Sequence, residues 1–250
     1  MFSVINSTKE LAEAAPDTAI LSMGATEQCG PHLPLHLDTL LAGYYARAWG
    51  EALCAFVLPT MPFNTSEEHA SFMGTVSLSP STVMMVLEEI VAGLRAQGFC
   101  KQVLTVGPGG SLWLGAFLKH VNRRFVDVVV VDAHREATPV WEEALRLAGL
   151  AGRGEVHGGA VSRALALYLA PGSVTKGAYG EQVSEDLEAY ADYAGWEKIT
   201  PDGSWGRYDS FADEGVATAE AGSKLLEYFV TEQGKRLKKH LEEACRIKGI

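Results

Sequence analysis

Apolar runs of strand length alternate with amphipathic segments of helix length along most of the chain. Four of these runs predict strands, and each is apolar throughout rather than alternating with polar residues. Continuous apolar runs are typical of strands that are buried on both faces of a parallel sheet. The pattern therefore predicts an α/β fold in which helices cover both faces of a mostly parallel sheet. The predicted strands are 18–23, 55–59, 102–106 and 126–131.

Helices are expected between the strands, and two of their starts carry capping residues. Asp38 is expected to cap the first helix, and Ser79 with Pro80 begins the second. No internal repeat or low-complexity linker interrupts the order, so we expect one domain over residues 1–250. The predicted helices are 38–53, 79–97, 112–125, 141–150, 160–171 and 218–246.

Ligand sites in such folds lie beyond the carboxyl ends of the strands, where successive loops meet. We therefore expect five loops to gather at one edge of the sheet. These loops are 24–38, 64–75, 107–111, 132–138 and 157–159.

The composition is that of a globular protein, since 47% of the 250 residues are hydrophobic and 21% are charged. The net charge of −10 argues against a general nucleic-acid binder, because such proteins carry a basic balance. No uncharged apolar stretch reaches the roughly 18 residues that cross a bilayer, so no membrane partner is expected. Four scattered cysteines without a CxxC pair, and an N-terminal segment without signal-peptide features, predict a cytoplasmic protein.

Candidate chemistry is densest in the loop between the first strand and the first helix. Glu27, Cys29, His32, His36 and Asp38 place two carboxylates, two imidazoles and a thiol within twelve residues. These groups can bind zinc or manganese, or act in acid–base and nucleophilic catalysis. The alternative is that Asp38 only caps its helix and that the histidines are surface residues.

This loop resembles the E-Q-H-G-P-H-L-P-L-x-x-D motif of the creatininase (creatinine amidohydrolase) family. Further stretches are similar to other motifs of that family, in the same order. Residues 66–78 are similar to S-x-E-H-x-x-F-P-G-T-x-S-L, and 106–111 occupy the place of N-G-H-G-G-N. Residues 157–164 resemble H-A-G-E-x-E-T-S, and 203–206 with 217–222 resemble the closing G-x-W-G and A-T-A-E-x-G. The resemblance covers about residues 18–230.

The resemblance implies a three-layer α/β/α sandwich, a homohexamer and a two-metal site with zinc or manganese that hydrolyses small amides. Its ligand positions correspond to Glu27, Cys29, Asp38, Pro108 and Ser162 in this chain. Proline has no ligating side chain and serine is a poor ligand, so we expect no binuclear centre. Either no cofactor is bound, or a single zinc is held by Glu27, Cys29 and Asp38, with His36 as an optional fourth ligand.

Arg163 stands where a family threonine follows the lost ligand position at Ser162. We expect its guanidinium to bind an anionic group, helped by free amides at the start of helix 160–171, unless it points into solvent. His157 matches the histidine of H-A-G-E, which acts in proton transfer. Asp132, His134 and Glu136 form a weak metal pattern, and we expect these residues to have structural roles or to lie at the rim of the site. The expected substrate-binding residues are Arg163, His32, His36, Glu68, His69, Gly109, Gly110, Ser162 and Trp205.

Three functional hypotheses follow. The first is an enzyme that acts on a small polar amide, lactam or related cyclic metabolite through Glu27, Asp38 and His157. Hydrolysis is the family reaction, and isomerase, lyase or condensation chemistry stays open. The second makes Cys29 a nucleophile assisted by an imidazole. The third is an inactive pseudoenzyme that binds a small ligand or pairs with an active relative. A homo-oligomer is expected, with aromatic interface material at Tyr179, Tyr190, Tyr193 and Trp196.

Overall fold

A computed structural model of the chain describes residues 1–107, 111–152, 155, 157–175, 187, 191, 193–205 and 215–250. Its described strands form one five-stranded sheet in the order β1-β3-β2-β4-β5, and every neighbouring pair is parallel. The predicted parallel sheet is therefore confirmed. The strands are β1 (Phe2–Ser3), β2 (Thr18–Met23), β3 (Phe56–Val57), β4 (Lys101–Val106) and β5 (Val129–Asp132).

The described helices agree with the predicted ones to within a few residues, and one short helix was not predicted. That helix, α1, is held at its start by a capping box between Ser7 and Glu10. Among the described residues, no helix has the length and the apolar character that crossing a membrane requires. The helices are α1 (Thr8–Ala14), α2 (Leu37–Ala52), α3 (Pro80–Ala96), α4 (Leu114–Arg124), α5 (Thr138–Leu147), α6 (Ala160–Leu169) and α7 (Ala219–Lys248).

The prediction that Asp38 caps α2 is wrong. The helix begins one residue earlier than expected, so His36 occupies the cap position and Asp38 lies within the first turn. No side chain makes a capping hydrogen bond there. The carboxyl group of Asp38 interacts with that of Glu27 instead.

Different helices cover the two faces of the sheet. Ile20 and Val103 point into one apolar core, which also contains buried residues of α2, α5, α6 and α7. Their neighbours Ala19, Leu21 and Leu104 point into a second core, built with α3 and α4. Successive side chains of a strand point to opposite faces, so the sheet is the middle of three layers. The α/β/α sandwich is thereby confirmed.

The strand register brings the loops that carry the candidate chemistry to one edge. β2 and β4 pair in parallel from Thr18 with Lys101 to Met23 with Val106. The loops that begin at residues 24 and 107 therefore leave the sheet side by side. β5 ends at Asp132 beside Leu104 and adds the loop that follows it.

Gly222 allows α7 to approach α6 closely. A Cβ atom at this position would lie 2.2 Å from the carbonyl oxygen of Ala164. Gly222→Ala should therefore lower the free energy of unfolding by about 2–3 kcal/mol, because the helices must move apart. Gly93→Ala is the matched control, since nothing lies within 4 Å of the added methyl group. Chemical denaturation of both variants checks this, and equal stabilities would contradict it.

Candidate active site

A pair of interacting carboxyl groups lies at the carboxyl edge of the sheet. Glu27 follows β2 and is 4% exposed, and Asp38 approaches it from the first turn of α2. The hydroxyl of Ser66 donates to Glu27 Oε2 at 2.6 Å and fixes that side chain. Burial, followed by the charge of Asp38, raises the pKa of Glu27 well above its usual range. Burial also raises the pKa of Asp38 to about 7, so the two carboxyl groups titrate as an interacting pair.

Two stacked imidazoles lie beside this pair. The rings of His69 and His157 are 4.5 Å apart and inclined by 24°. Trp196 meets them edge-on at 4.5 and 5.2 Å, and Trp205 pairs with His157 through the main chain. Burial lowers the pKa of His69 to about 3 and also lowers the pKa of His157. Both rings are therefore neutral at neutral pH. Each can donate one hydrogen bond and accept another.

Gln28 connects the two imidazoles, and the sequence analysis missed it. Its Nε2 donates to His69 Nδ1 at 2.8 Å and to the carbonyl oxygen of Gly203 at 3.0 Å. Its Oε1 accepts from the amide of Gly30 at 2.8 Å. Its main-chain oxygen accepts from His157 Nε2 at 2.7 Å. Its position between Glu27 and Cys29, in the loop that carries the candidate catalytic residues, was the sequence feature that could have identified it.

A cavity of about 620 Å³ opens beside the carboxyl pair. Its polar wall contains Asp38, Cys29, Ser162 and Glu155. This volume is sufficient for a drug-sized ligand, and a mostly apolar wall with few polar groups is typical of ligand sites. The cavity is therefore the candidate substrate site. Part of its apolar wall is formed by Leu41, Tyr45, Val106, Trp141, Leu165 and Phe229.

Glu155 places a carboxylate at the start of α6. Its oxygens accept from the amides of Gly159, Val161 and Ser162 at 2.5–3.0 Å, and from the hydroxyl of Ser162 at 2.6 Å. A carboxylate is favoured there by the unpaired amides and the helix dipole. The free amides expected at this helix start are thus already occupied, and that part of the Arg163 hypothesis is wrong. Sequence reasoning missed Glu155, because it lies outside the matched motif.

Arg163 lies away from solvent, on the side of α6 that meets the start of α7. It is 7% exposed, and its Nη1 donates to the carbonyl oxygen of Ala217 at 3.0 Å. Burial, and then the charge of Arg163, lowers the pKa of the buried His32 to about 4. Neither residue lines the cavity. Their predicted contact with substrate stays a prediction.

The other predicted site residues are distributed between the imidazole pair and the surface. Glu68 Oε1 lies 4.0 Å from His69 Nε2, whereas His36 is exposed at the start of α2. Gly109 and Gly110 lie outside the described residues, as do Pro108, Tyr179 and Tyr190. Trp196 is buried against the imidazoles, so within the chain it serves packing, while Tyr193 is 83% exposed.

His134 belongs to the cavity rather than to a metal site. It lines the cavity wall, and its Nε2 lies 3.1 Å from the hydroxyl of Thr105. Burial lowers its pKa to about 4. The carboxylate of Asp132 accepts from the main-chain amide of His134 and so shapes the turn. The turn contact of Asp132 agrees with the expected structural role, and the position of His134 in the cavity wall agrees with the expected place at the rim.

One group among the described residues has the composition of a metal site. A carboxylate oxygen of Glu27 and one nitrogen each of His69 and His157 lie within 4.8 Å of one another. Two imidazoles and a carboxylate are a donor set that zinc uses in catalytic sites. This group differs from the expected set of Glu27, Cys29 and Asp38. The two sets share only Glu27.

Comparison with known proteins gives matches to one family. The model of the Creatininase family, which is described as creatinine amidohydrolase, matches residues 6–237. A mycofactocin precursor peptide peptidase of Mycobacterium tuberculosis is 31% identical over 126 residues, which are 46% of this chain and 48% of that protein. A creatinine amidohydrolase of Pseudomonas putida is 30% identical over 104 residues, 39% of this chain and 40% of that protein. The chain spans about half the length of the curated relatives it matches.

Solved structures extend the likeness of fold over nearly the whole chain. A structure described as creatininase Mn and a mutant creatininase of Zn-Zn type each give a TM-score of 0.76. The sequence identities are 22% and 21%, and each match covers 96% of this chain and 98% of the other. At this identity the structures show a shared fold. The family model matches well over half of the sequence, and the chain therefore belongs to the creatininase family.

Proposed function

We propose that the chain is an amide hydrolase whose reacting groups are the carboxyls of Glu27 and Asp38. Membership of an amidohydrolase family supplies the reaction class. The observation that carries the proposal is the interaction of these two buried carboxyl groups, of which Asp38 lines the cavity, with the pKa of both raised. Paired carboxyl groups that share one proton hydrolyse amides in aspartic proteases, where one group is ionised and the other protonated.

We assign a different role to each carboxyl group from the order in which the two groups lose their protons. Asp38 lines the cavity and is ionised first, so it takes a proton from water as the water oxygen attacks the amide carbon. The charge of Asp38 adds to burial in raising the pKa of Glu27, so Glu27 is the proposed proton donor to the leaving nitrogen as the carbon–nitrogen bond breaks. The products are a carboxylic acid and an amine, or one amino acid when the substrate is a lactam. Proton transfer from Asp38 back to Glu27 restores the pair.

Cys29 does not suit the role of nucleophile. Burial, then the charges of Asp38 and Glu27, raises the pKa of its thiol well above the usual range. The thiol is therefore protonated at neutral pH, and the thiolate that attacks in cysteine enzymes is suppressed. Its place on the cavity wall makes it a contact for substrate.

The two-metal centre implied by the family does not fit these residues. Serine is a poor metal ligand, and the Ser162 hydroxyl already donates to Glu155. Proline at position 108 offers no donor atom. Only Glu27 and Asp38 of the five family positions keep carboxylates, which cannot offset four positive charges. No step of the proposed reaction is therefore assigned to a metal.

Purified protein should retain less than one divalent ion per chain after extensive dialysis. The reason is that two family ligand positions are lost, because position 108 is proline and the Ser162 hydroxyl donates to Glu155. Elemental analysis by mass spectrometry measures this directly. Two equivalents of zinc or manganese would contradict the prediction, and one equivalent would favour the group of Glu27, His69 and His157.

The substrate should present an apolar part beside its amide bond. The cavity wall next to Asp38 is mostly apolar, so an apolar group gains free energy by leaving water there. Creatinine amidohydrolase and peptide peptidase are the activities in the names of two relatives. A panel of lactams, cyclic ureas, N-acyl amides and short peptides should therefore be incubated with the protein and analysed by mass spectrometry. We expect hydrolysis of at least one class, with a bell-shaped pH profile whose acidic limb lies near pH 7.

The pseudoenzyme hypothesis gives a different result in the same panel. It predicts that a compound raises the melting temperature of the protein while its amide bond stays intact. Binding without turnover across the panel would therefore replace the hydrolase proposal.

We further propose that the chain self-associates through the loops around the site. Several apolar side chains are exposed there, including Met73 at 98% and Leu35 at 38%. Leu35 lies against the Gly74 turn, so these residues are neighbours. Light scattering at micromolar concentration should give a mass above one chain, and Met73→Glu should reduce it. A monomeric mass for the unmodified protein would refute self-association.

A further inference from the structure

We propose that Gln28 is a positioning residue that holds His69 and His157 each with hydrogen on Nε2. His69 then offers the site a donor at Nε2, and His157 keeps a lone pair on Nδ1. The inference deepens the proposed function, because it says which ring gives and which ring accepts a hydrogen bond. It also implies that a metal ion at the Glu27, His69 and His157 group must first displace the hydrogen on Nε2 of His69, which weakens its binding.

The orientation of the Gln28 amide is set independently of the histidines. The main-chain N–H of Gly30 can only donate, so the atom that faces it is Oε1, at 2.8 Å. The carbonyl of Gly203 can only accept, so the atom that faces it is Nε2, at 3.0 Å. Turning the amide over would break both hydrogen bonds inside a buried region, and Gln28 is 5% exposed.

The glycine at position 203 makes this arrangement possible. Its φ is +85°, and a Cβ atom there would lie 2.0 Å from Gln28 Oε1. Any side chain at that position would displace the amide group. The backbone therefore leaves room for Gln28 in the orientation observed.

The amide orientation determines the protonation of His69. The group that faces His69 Nδ1 at 2.8 Å is the Gln28 NH2, a donor, so Nδ1 carries the lone pair. The hydrogen of the neutral ring is then on Nε2. This nitrogen lies 3.9 Å from Glu27 Oε1 and 4.0 Å from Glu68 Oε1. An N–H between two carboxyl groups is favoured electrostatically, whereas a lone pair there is repelled.

The main chain of Gln28 determines the protonation of His157. Its carbonyl oxygen accepts from His157 Nε2 at 2.7 Å, so the hydrogen is on Nε2. A histidine that donates to a main-chain carbonyl is a common arrangement for a ring that acts through its other nitrogen. One residue thus orders both imidazoles, one through its side chain and the other through its backbone.

A metal ion at this group needs a lone pair on Nε2 of His69, because Nδ1 faces Gln28. The Gln28 amide keeps hydrogen on Nε2 instead. Gln28→Glu should reverse the position of the hydrogen on His69. A carboxylate oxygen accepts from Nδ1, so the hydrogen lies on Nδ1 and the lone pair on Nε2. In zinc sites, the ring nitrogen of a histidine that does not bind the metal commonly donates a hydrogen bond to a carboxylate.

The test is nitrogen-15 NMR of the full-length labelled protein at neutral pH, with imidazole signals assigned from single histidine substitutions. We expect neutral rings with hydrogen on Nε2 for both His69 and His157. In Gln28→Glu the hydrogen of His69 should move to Nδ1, and zinc affinity should rise at least about tenfold. His134 is the internal control, because it bonds to Thr105 and should not change.

Gln28→Met provides a second variant in case the glutamate variant does not fold. It removes the side-chain donor, so His69 should become a mixture of the two protonation forms while His157 keeps its Nε2 hydrogen. Hydrogen on Nδ1 of His69 in the unmodified protein would overturn the inference, as would an unchanged His69 in both folded variants. Expected NMR spectra together with no amide hydrolysis would leave the inference standing and defeat the proposed function alone.

Discussion

Asp38→Asn should lower kcat/KM about 10³-fold on the best substrate of the panel. The reason is that asparagine cannot accept the proton of the attacking water, and general base catalysis contributes about 10²–10⁴-fold. Steady-state kinetics at pH 8 measure the loss. Asp127→Asn is the control, since Asp127 is an exposed aspartate paired with Arg95. A loss below tenfold for Asp38→Asn would remove Asp38 from the reacting pair.

The same variant should be more stable than the unmodified protein at pH 8. Burial raises the pKa of Asp38 to about 7 from the ordinary value near 4, so the folded state favours the protonated group. That contribution to stability is present below about pH 4 and is lost as the pH rises through 7. Asparagine has no charge to bury, so its advantage should grow from pH 5 to pH 8, to roughly 1–3 kcal/mol. Urea denaturation at both pH values measures this, and an advantage that shrinks with pH would contradict the assignment.

Glu155→Ala should destabilise the fold by about 3 kcal/mol. Its carboxylate accepts four hydrogen bonds at the start of α6, and the alanine variant leaves three amides and a hydroxyl without that acceptor. Removing a helix cap costs about 0.5–2 kcal/mol, and hydrogen bonds to a charged group contribute about 1.5–3 kcal/mol.

Glu155→Gln tests whether charge or hydrogen bonding dominates. It keeps one oxygen acceptor without the negative charge that the helix dipole favours, so we expect about half the loss. Glu89→Ala is the matched control, because Glu89 is exposed in α3. Chemical denaturation compares the three variants, and a loss for Glu155→Ala no larger than that for Glu89→Ala would show that the carboxylate is not a cap.

The sheet and the carboxyl pair could be predicted because the information is local. The strands are continuous apolar runs, and Glu27 and Asp38 flank one loop that leaves the sheet edge. The prediction that Asp38 caps α2 was wrong because an aspartate can either cap a helix or interact with another carboxyl group. Residue identity cannot say which of the two contacts is made.

The roles of Glu155 and Gln28 could not be predicted, because they depend on the path of the backbone. Glu155 reaches Ser162 only because the chain turns at Gly158 and Gly159 before α6. The Gln28 amide is fixed by Gly203, which is 175 residues away in the sequence. Such contacts can be seen only in the folded structure. Because the contact of Glu155 with the start of α6 was missed, the amides near Arg163 were wrongly expected to be free.

In the proposed reaction two carboxyl groups hydrolyse an amide without a two-metal centre. The most direct measurement is the kcat/KM of protein that has been stripped with a chelator, with its metal content determined by elemental analysis on the same sample. We predict that hydrolysis persists within twofold when zinc and manganese are below about 0.05 equivalents, a level chosen to exclude stoichiometric binding. Activity that disappears on stripping and returns with one or two equivalents of metal would contradict the account.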